Sequence, residues 1–169
     1  MKQILGDYET KMTLINECLE ANGIGRSELA MCDHLAYRVE TMERYEVLKK
    51  RLSQVALLVG ETIVAERPIA VFELYEYLRA GEWTIPYIEL PAPKVTSSYP
   101  EGLEHAEFVV IGSLDVFRER HPEIQWIDKT QGRPFNPELG LKNNGQSLKF
   151  HEQPIGSVVR TEQRLQPHE

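Results

Sequence analysis

The sequence predicts an α+β fold in which two βαβββ modules form a concave, open, barrel-like mixed sheet preceded by an N-terminal helix. Three observations support this prediction. The order strand, helix and further strands occurs twice along the chain. An acidic residue followed by a histidine opens the first strand of both copies, as Asp33-His34 and Glu104-His105. An amphipathic helix precedes the first copy.

The elements before and within the first copy follow from hydrophobic spacing. Apolar residues three and four positions apart predict the N-terminal helix, and Asn22-Gly23 ends it. CDHLAYRV alternates like a half-buried strand. The predicted elements are a helix over residues 7–22, a strand over 32–39, a helix from Thr41 to Gly60, and three strands within 61–94 with breaks near Arg67-Pro68 and Ala80-Gly81.

The second copy is shorter. Its helix is predicted to be capped by Ser113, and NNG predicts a hairpin turn before the last strand. The predicted elements are strands over 104–111 and 124–130, a helix between them, a loop over 131–140, a short strand near Leu139–Lys142, and a strand over 146–152. One domain is predicted over residues 1–154, made of a helical extension 1–31, module one 32–94 and module two 103–154, with a polar tail over 155–169.

The two copies align when the first is shifted by 71 positions, which places His34 on His105. Strand phase and helix onset then agree, although few residues are identical. The modules also end alike, in PYIEL and LKFHE. Aligning these endings puts Glu89 opposite His151.

Strand alternation places both first-strand histidines on the face of the sheet that turns away from the helices. If the modules pair about a pseudo-twofold axis, their open faces curve into one cavity, where Glu89 and His151 join the histidines. Three imidazoles and one carboxylate suit a divalent first-row metal ion, such as Zn, Ni, Fe, Mn or Co. The sequence therefore predicts a metal site formed by His34, Glu89, His105 and His151.

Glu107 follows His105 by two positions and lies on the same face. We predict that it acts as a catalytic general base; it could instead be a fifth ligand or a group that orients a histidine. Asp33 and Glu104 point away from the histidines that follow them, so they are expected to serve the backbone or solvent.

Three further side chains on the open face are predicted to bind substrate: Arg38, Lys149 and Tyr87. The two cations would hold an anionic group of a small molecule. The alternative is pairing with carboxylates on the same face, because an unpaired cation inside a concave sheet is costly. The carboxylates available for such pairs are Glu73, Glu89 and Glu107.

Composition excludes several other functions. The net charge of −7 disfavours nucleic acid or an anionic membrane surface as the main partner. No segment resembles a membrane-spanning helix or a signal peptide. The two cysteines, Cys18 and Cys32, form no CxxC pair, so a cytoplasmic protein is expected. The expected partner is a small, anionic ligand, and the chain is expected to be a monomer or a homodimer.

Paired βαβββ modules with ligands on the first and last strand of each resemble the vicinal oxygen chelate superfamily, which includes glyoxalase I, extradiol dioxygenases and fosfomycin-resistance proteins. More specifically, several segments between Met1 and His151 resemble the YecM-like family of bacterial proteins. These segments are DHLAYR, RPIAVFEL, IELPAPK, YPEGLEHAEFVV and LKFHE.

The resemblance implies a glyoxalase-like fold and a metal site, but no particular reaction. Carried over by position, the first-strand ligand matches His34, the fourth-strand carboxylate matches Glu89 and the fifth-strand histidine matches His105. The eighth-strand position is commonly glutamate in the superfamily, whereas here it is His151. This departure puts the metal identity and the acid-base role of that glutamate in doubt, and makes Glu107 the candidate replacement base.

Three functions fit these observations. The first is a metal-dependent isomerase, lyase or dioxygenase acting on a small oxygenated anion. The second is a binding or sequestering protein that holds such a molecule without turnover. The third is a polar hydrogen-bond network of histidines that holds no metal. Fold alone does not choose among them.

Overall fold

The structure is a computed structural model that describes residues 1–94, 99–131 and 136–165. The predicted connector over residues 95–102, the loop over 131–140 and the end of the tail lie partly outside these ranges. The helices are α1 Lys2–Leu5, α2 Tyr8–Ala21, α3 Met42–Leu52, α4 Leu114–Arg120 and α5 Ile155–Leu165. The strands are β1 Leu29–Arg38, β2 Ala56–Val64, β3 Arg67–Ala80, β4 Trp83–Pro91, β5 Gly102–Val110, β6 Ile127–Lys129, β7 Glu138–Asn143 and β8 Gln146–His151.

The described strands form one mixed, concave, open sheet of eight strands in the order β2-β3-β4-β1-β5-β8-β7-β6. In each half, the first strand pairs in parallel with the last, as β1 with β4 and β5 with β8. The two halves meet where β1 and β5 pair antiparallel. This arrangement confirms the predicted fold class of two βαβββ modules preceded by a helix.

Helices α2, α3 and α4 cover the apolar face of the sheet. The main hydrophobic core lies between them and the strands. The Phe150 ring packs there on those of Phe108 and Phe117, with centroids 5.9 and 5.0 Å apart. Burial of each such ring contributes about 2 kcal/mol. Cys18 and Cys32 are buried in this core as thiols. Within the described ranges, no helix has the length and hydrophobicity needed to cross a membrane.

The helix predicted from Thr41 to Gly60 is too long. Thr41 caps α3 as expected, but α3 ends at Leu52 and β2 begins at Ala56. Helical spacing continues to Val55, yet Val55 is 36% exposed, so the apolar face ends before it. The aliphatic run after it gains a full ladder of hydrogen bonds with β3, and this pairing outweighs the helical pattern.

The polar tail predicted from Ile155 contains an eleven-residue helix, α5. Val158 and Val159 are buried, because adjacent apolar residues on a helix form a stripe that can pack against a sheet. This helix packs against β2 and β3 on the face opposite the main core. It therefore lies on the same side of the sheet as the predicted metal ligands.

Candidate metal centre

Four side chains in the middle of the sheet meet on its concave face: His34, Glu89, His105 and Glu107. Each offers one ligand-type atom, and these atoms all lie within 4.8 Å of one another. The Nε2 atom of His34 is 3.2 Å from Glu89 Oε2 and 3.4 Å from Glu107 Oε1. The Nε2 atom of His105 is 2.9 Å from the same Glu107 oxygen. The group could hold a metal ion.

The central strand pairing brings these residues together. His34 lies opposite Glu107 where β1 and β5 pair, so each module contributes to the group. On the other side of β1, Ala36 lies opposite Glu89 on β4. Alternate residues point to the same face, so His34 and Glu89 converge from neighbouring strands.

His151 lies outside this group, and the reason is strand register. The sequence alignment makes His151 the counterpart of Glu89. In the structure, His34 lies opposite Tyr87, and Glu89 is two residues further along β4. In module two, His105 lies opposite Ser147, and the residue two positions further along β8 is Lys149. His151 is two residues further along β8. It forms a second group with Glu107 and Glu138.

All three histidines are held by their Nδ1 atoms, which leaves their Nε2 atoms facing carboxylates. Such fixing of a ring through its second nitrogen is a common feature of metal-binding histidines. The Nδ1 contacts are His34 to Asp33 Oδ2 at 2.8 Å, His105 to Glu104 Oε2 at 2.9 Å and His151 to the carbonyl oxygen of Pro137 at 2.9 Å.

The expectation that Asp33 and Glu104 serve the backbone or solvent is incomplete. Each carboxylate turns back to bond the ring of the histidine that follows it. Asp33 also accepts a hydrogen bond from the Ile155 amide, at 2.9 Å. The repeated acid-histidine dipeptide was the sequence signal for this arrangement. Alternation of side chains on a regular strand concealed it, because β1 has register shifts on both sides of His34.

Two of the Nε2 atoms lack a hydrogen-bond partner although both are buried. They belong to His34 and His151. The His151 atom lies 2.5 Å from Glu107 Oε2, but not in hydrogen-bonding geometry. A neutral imidazole nitrogen and a carboxylate oxygen repel each other unless a cation or a proton lies between them. Imidazole and carboxylate donors arranged in this way fit a divalent first-row metal ion.

The charges of the site keep Glu107 ionised. Burial alone would raise the pKa of Glu107, but His34, Lys149 and His151 together hold it well below its usual range. Burial lowers the pKa of His34, yet the nearby Glu107 charge and the hydrogen bond that the ring donates to Asp33 raise it well above 6.5. The pKa of His105 is also raised, because Glu104 and Glu107 outweigh burial and Lys149. Without a metal ion, the site therefore favours protonated histidines.

The predicted substrate-binding cations are both paired. Lys149 Nζ lies 2.5 Å from Glu107 Oε1 and 3.5 Å from Glu138 Oε2. Arg38 forms an ion pair with Glu104, and its guanidinium lies over the Tyr99 ring. Pairing with carboxylates was the alternative left open by the sequence.

Tyr87, the third predicted substrate-binding residue, lies beneath α5. It packs with Val71 and Val159 in a small hydrophobic cluster on the concave face. Tyr87 shares that face with Glu89, two residues along β4.

Comparisons with known proteins agree with this description. A family model described as YecM protein matches residues 1–134. Protein YecM of Escherichia coli (strain K12) is 24% identical over 178 residues, covering 96% of this chain and 94% of that protein. A solved structure described as Structural Genomics, Protein EC4020 superimposes with a TM-score of 0.78 at 24% identity, covering 95% of this chain and 92% of that chain.

A more distant solved structure has the same fold. Methylmalonyl-CoA epimerase of Streptomyces coelicolor, in complex with 2-nitronate-propionyl-CoA, gives a TM-score of 0.54 at 13% identity, covering 73% of this chain and 96% of that chain. That enzyme belongs to the vicinal oxygen chelate superfamily. The glyoxalase-like fold is thereby confirmed, and at this identity the likeness concerns the fold alone.

Proposed function

We propose that this chain, which belongs to the YecM family, is a protein of the vicinal oxygen chelate type that holds one divalent metal ion and uses it to bind a small oxygenated anion. The proposed ligands are His34, Glu89, His105 and Glu107. In this set Glu107 takes the place of the predicted His151, because the strand register brings Glu107 close to the other three ligands. His151 is then a partner of Glu107.

One observation carries the proposal: buried histidines are fixed through Nδ1 while their Nε2 atoms converge on Glu89 and Glu107. The Nε2 atom of His34, in particular, is buried without a hydrogen bond between two carboxylates. A divalent ion at this site would supply a Lewis acid that polarises oxygen atoms of a bound molecule. The nitrogen and oxygen donors suit Zn, Ni, Fe, Mn or Co.

Glu107 is better suited to be a ligand than a general base. Its two oxygens already contact His34, His105, His151 and Lys149. With both oxygens occupied in this way, neither is free to take up a proton from a bound molecule. Lys149 and His151 would position Glu107 and balance its charge.

The metal proposal is tested by measuring bound metal in purified protein by elemental analysis. We expect about one equivalent in the wild-type chain and loss of most of it in His105→Ala, since removing a ligand removes a donor bond. His121→Ala is the matched control, because His121 pairs with Glu28 on another part of the molecule. Metal content in His105→Ala equal to that of the control would contradict the proposed site, and absence of metal from the wild-type chain would favour the metal-free polar network.

Within this proposal, two uses of the bound molecule remain: turnover as an isomerase, lyase or dioxygenase, and binding without turnover. The contacts of Glu107 with Lys149 and His151 favour binding, because they occupy both of its oxygens and leave neither free to accept a proton.

Chelation by adjacent oxygens can be tested with oxalate, a dianion whose two carboxylates are neighbours. We expect oxalate to raise the melting temperature of the metal-loaded protein more than succinate does, because only adjacent oxygens reach one ion together. The metal-free protein is the control and should respond to neither anion. Equal shifts with both anions on the loaded protein would contradict chelation.

A further inference from the structure

The candidate metal centre is largely buried, and the side chain of Glu89 is its most accessible ligand, at 12% exposed. His34, His105 and Glu107 are 0%, 5% and 3% exposed. A polar cavity of about 400 Å³ opens nearby, between Arg38, Glu104 and the turn that joins β7 to β8, but among the described residues none of the four proposed ligands lines it. A small molecule can therefore reach the Nε2 atoms only if a covering element moves.

Helix α5 packs on the same face of the sheet and begins beside the proposed ligands. It lies on the ligand-bearing face of module one, where Val159 packs on Val71 and Tyr87. Arg160 forms an ion pair with Glu73 on β3. The helix begins directly beside the metal group, because the Ile155 amide donates a hydrogen bond to Asp33.

Asp33 links this helix to the histidine that follows it. Its Oδ2 atom lies 2.8 Å from His34 Nδ1 and accepts the Ile155 hydrogen bond at 2.9 Å. The side chain is 2% exposed, so water cannot readily replace either contact. When α5 leaves, Asp33 loses one of the two bonds that fix it, and the orientation of the His34 ring becomes less restricted.

We propose that α5 is a closing helix over the metal centre and that Asp33 is a positioning residue which couples its docking to His34. This inference rests on the proposed metal site. Docking of α5 orders His34 for metal binding, and a bound metal in turn favours the docked helix, since coupling between two sites is reciprocal. Release of α5 opens the concave face to the small molecule.

The packing of α5 allows such a movement. The apolar contact of the helix with the sheet is a small cluster of Val71, Tyr87 and Val159, with Val59 and Ile155 packed against it, and this cluster is separate from the main core. Elements with few buried apolar contacts open locally at a lower free energy than the whole domain unfolds. The two modules can remain folded while α5 is released.

Gly156→Ala tests the closing role. A Cβ atom at this position would lie 2.5 Å from the Tyr87 hydroxyl, so the substitution pushes the start of α5 away from the sheet. Alanine is also a better helix former than glycine, so any loosening reflects lost docking and not lost helicity. Ser157→Ala, at an exposed position of the same helix, is the matched control.

The readouts are amide hydrogen exchange of α5 and the rate at which bound Co²⁺ passes to EDTA. In wild-type protein we expect Co²⁺ to slow exchange of the α5 amides. In Gly156→Ala we expect faster exchange and Co²⁺ loss at least about tenfold faster, as for other disturbances next to metal ligands. Rates equal to those of the control would overturn the closing role.

Asp33→Asn tests the coupling. The variant keeps the size of the side chain and a hydrogen-bond acceptor but removes the charge beside His34. We expect Co²⁺ affinity to fall by about 10- to 100-fold and the visible absorption band of bound Co²⁺ to shift, because the ligand ring is held differently. Asp115→Asn, at an exposed position of α4, is the control. An unchanged band and affinity would remove the positioning role.

The outcomes separate this inference from the proposed function. If wild-type protein binds no Co²⁺ at all, both fail. If it binds Co²⁺ through His105 but neither Gly156→Ala nor Asp33→Asn alters affinity, release or spectrum, the metal site stands and the coupling to α5 is wrong.

Discussion

The two ring nitrogens of His34 have different environments, and this difference defines the site. Nδ1 is fixed by Asp33, while Nε2 faces Glu89 and Glu107. A histidine held in this way cannot turn to exchange its nitrogens. The ring is prepared for a cation on one side only, which is what a metal ligand requires.

Most of the proposed ligands could be found from the sequence, because the repeat places His34, Glu89 and His105 at related strand positions. The position of His151 outside this group could not be predicted from the sequence, because a shift of two residues along a strand keeps a side chain on the same face and leaves the alternation unchanged. The ladder between β5 and β8 decides it by placing Lys149 opposite Glu107. The part played by Asp33 depends on the irregular pairing of β1, which alternation does not reveal.

Glu101 offers a test of electrostatics away from the metal centre. Its carboxylate accepts hydrogen bonds from Arg44 at 2.7 and 3.0 Å and from Tyr37 at 3.3 Å. The Arg44 hydrogen bond, against burial, lowers the pKa of Glu101 below 4.5. A lowered pKa in the folded state means that the ionised form is the stabilising one.

We expect Glu101→Gln to lower the free energy of unfolding by about 1 kcal/mol at pH 7. This stabilisation is present above pH 4.5, the usual pKa, and is lost as the pH falls through the lower pKa of the folded state. The difference in free energy of unfolding between wild type and variant, measured by urea unfolding, should therefore shrink as the pH falls below 4.5. Glu119→Gln, at an exposed position of α4, is the control; a difference that does not depend on pH would contradict the assignment.

Among the secondary-structure elements, those whose ends carry capping or turn residues were predicted well. Asp7 accepts from the Thr10 amide and caps α2, and Ser113 accepts from Val116 and caps α4. Asn144 and Gly145 have the positive φ angles of the expected hairpin turn between β7 and β8. The errors fall where an apolar run suits two structures, as at the junction of α3 and β2. There the partner strand decides, and local sequence does not identify it.

The hairpin between β2 and β3 has an unfavourable turn sequence. Its central residues, Ala65 and Glu66, have φ angles of 48° and 64°, whereas such angles suit Asn and Gly. We expect the double substitution Ala65→Asn, Glu66→Gly to raise the free energy of unfolding by about 1 kcal/mol, measured by urea unfolding. The turn is far from the ligands along both strands, so metal content should not change. A loss of stability would show that the turn needs its present side chains.

Across the whole molecule, the pseudo-twofold arrangement places two different half-sites side by side. Module one supplies His34 and Glu89, and module two supplies His105 and Glu107. The symmetry is incomplete, because Lys149 stands where module two would carry a counterpart of Glu89. The fold class follows from the repeated element order, whereas the chemistry follows from this asymmetry.

The antiparallel seam between β1 and β5 has a consequence for how the halves depend on each other. An ion bound across that seam would link the two modules, with two ligand residues from each. Neither module has enough donor atoms to bind the ion alone, so a substitution that distorts a strand in one module would also abolish metal binding by the other. Substitutions that weaken only the contact between the modules should therefore speed metal release before they lower the melting temperature.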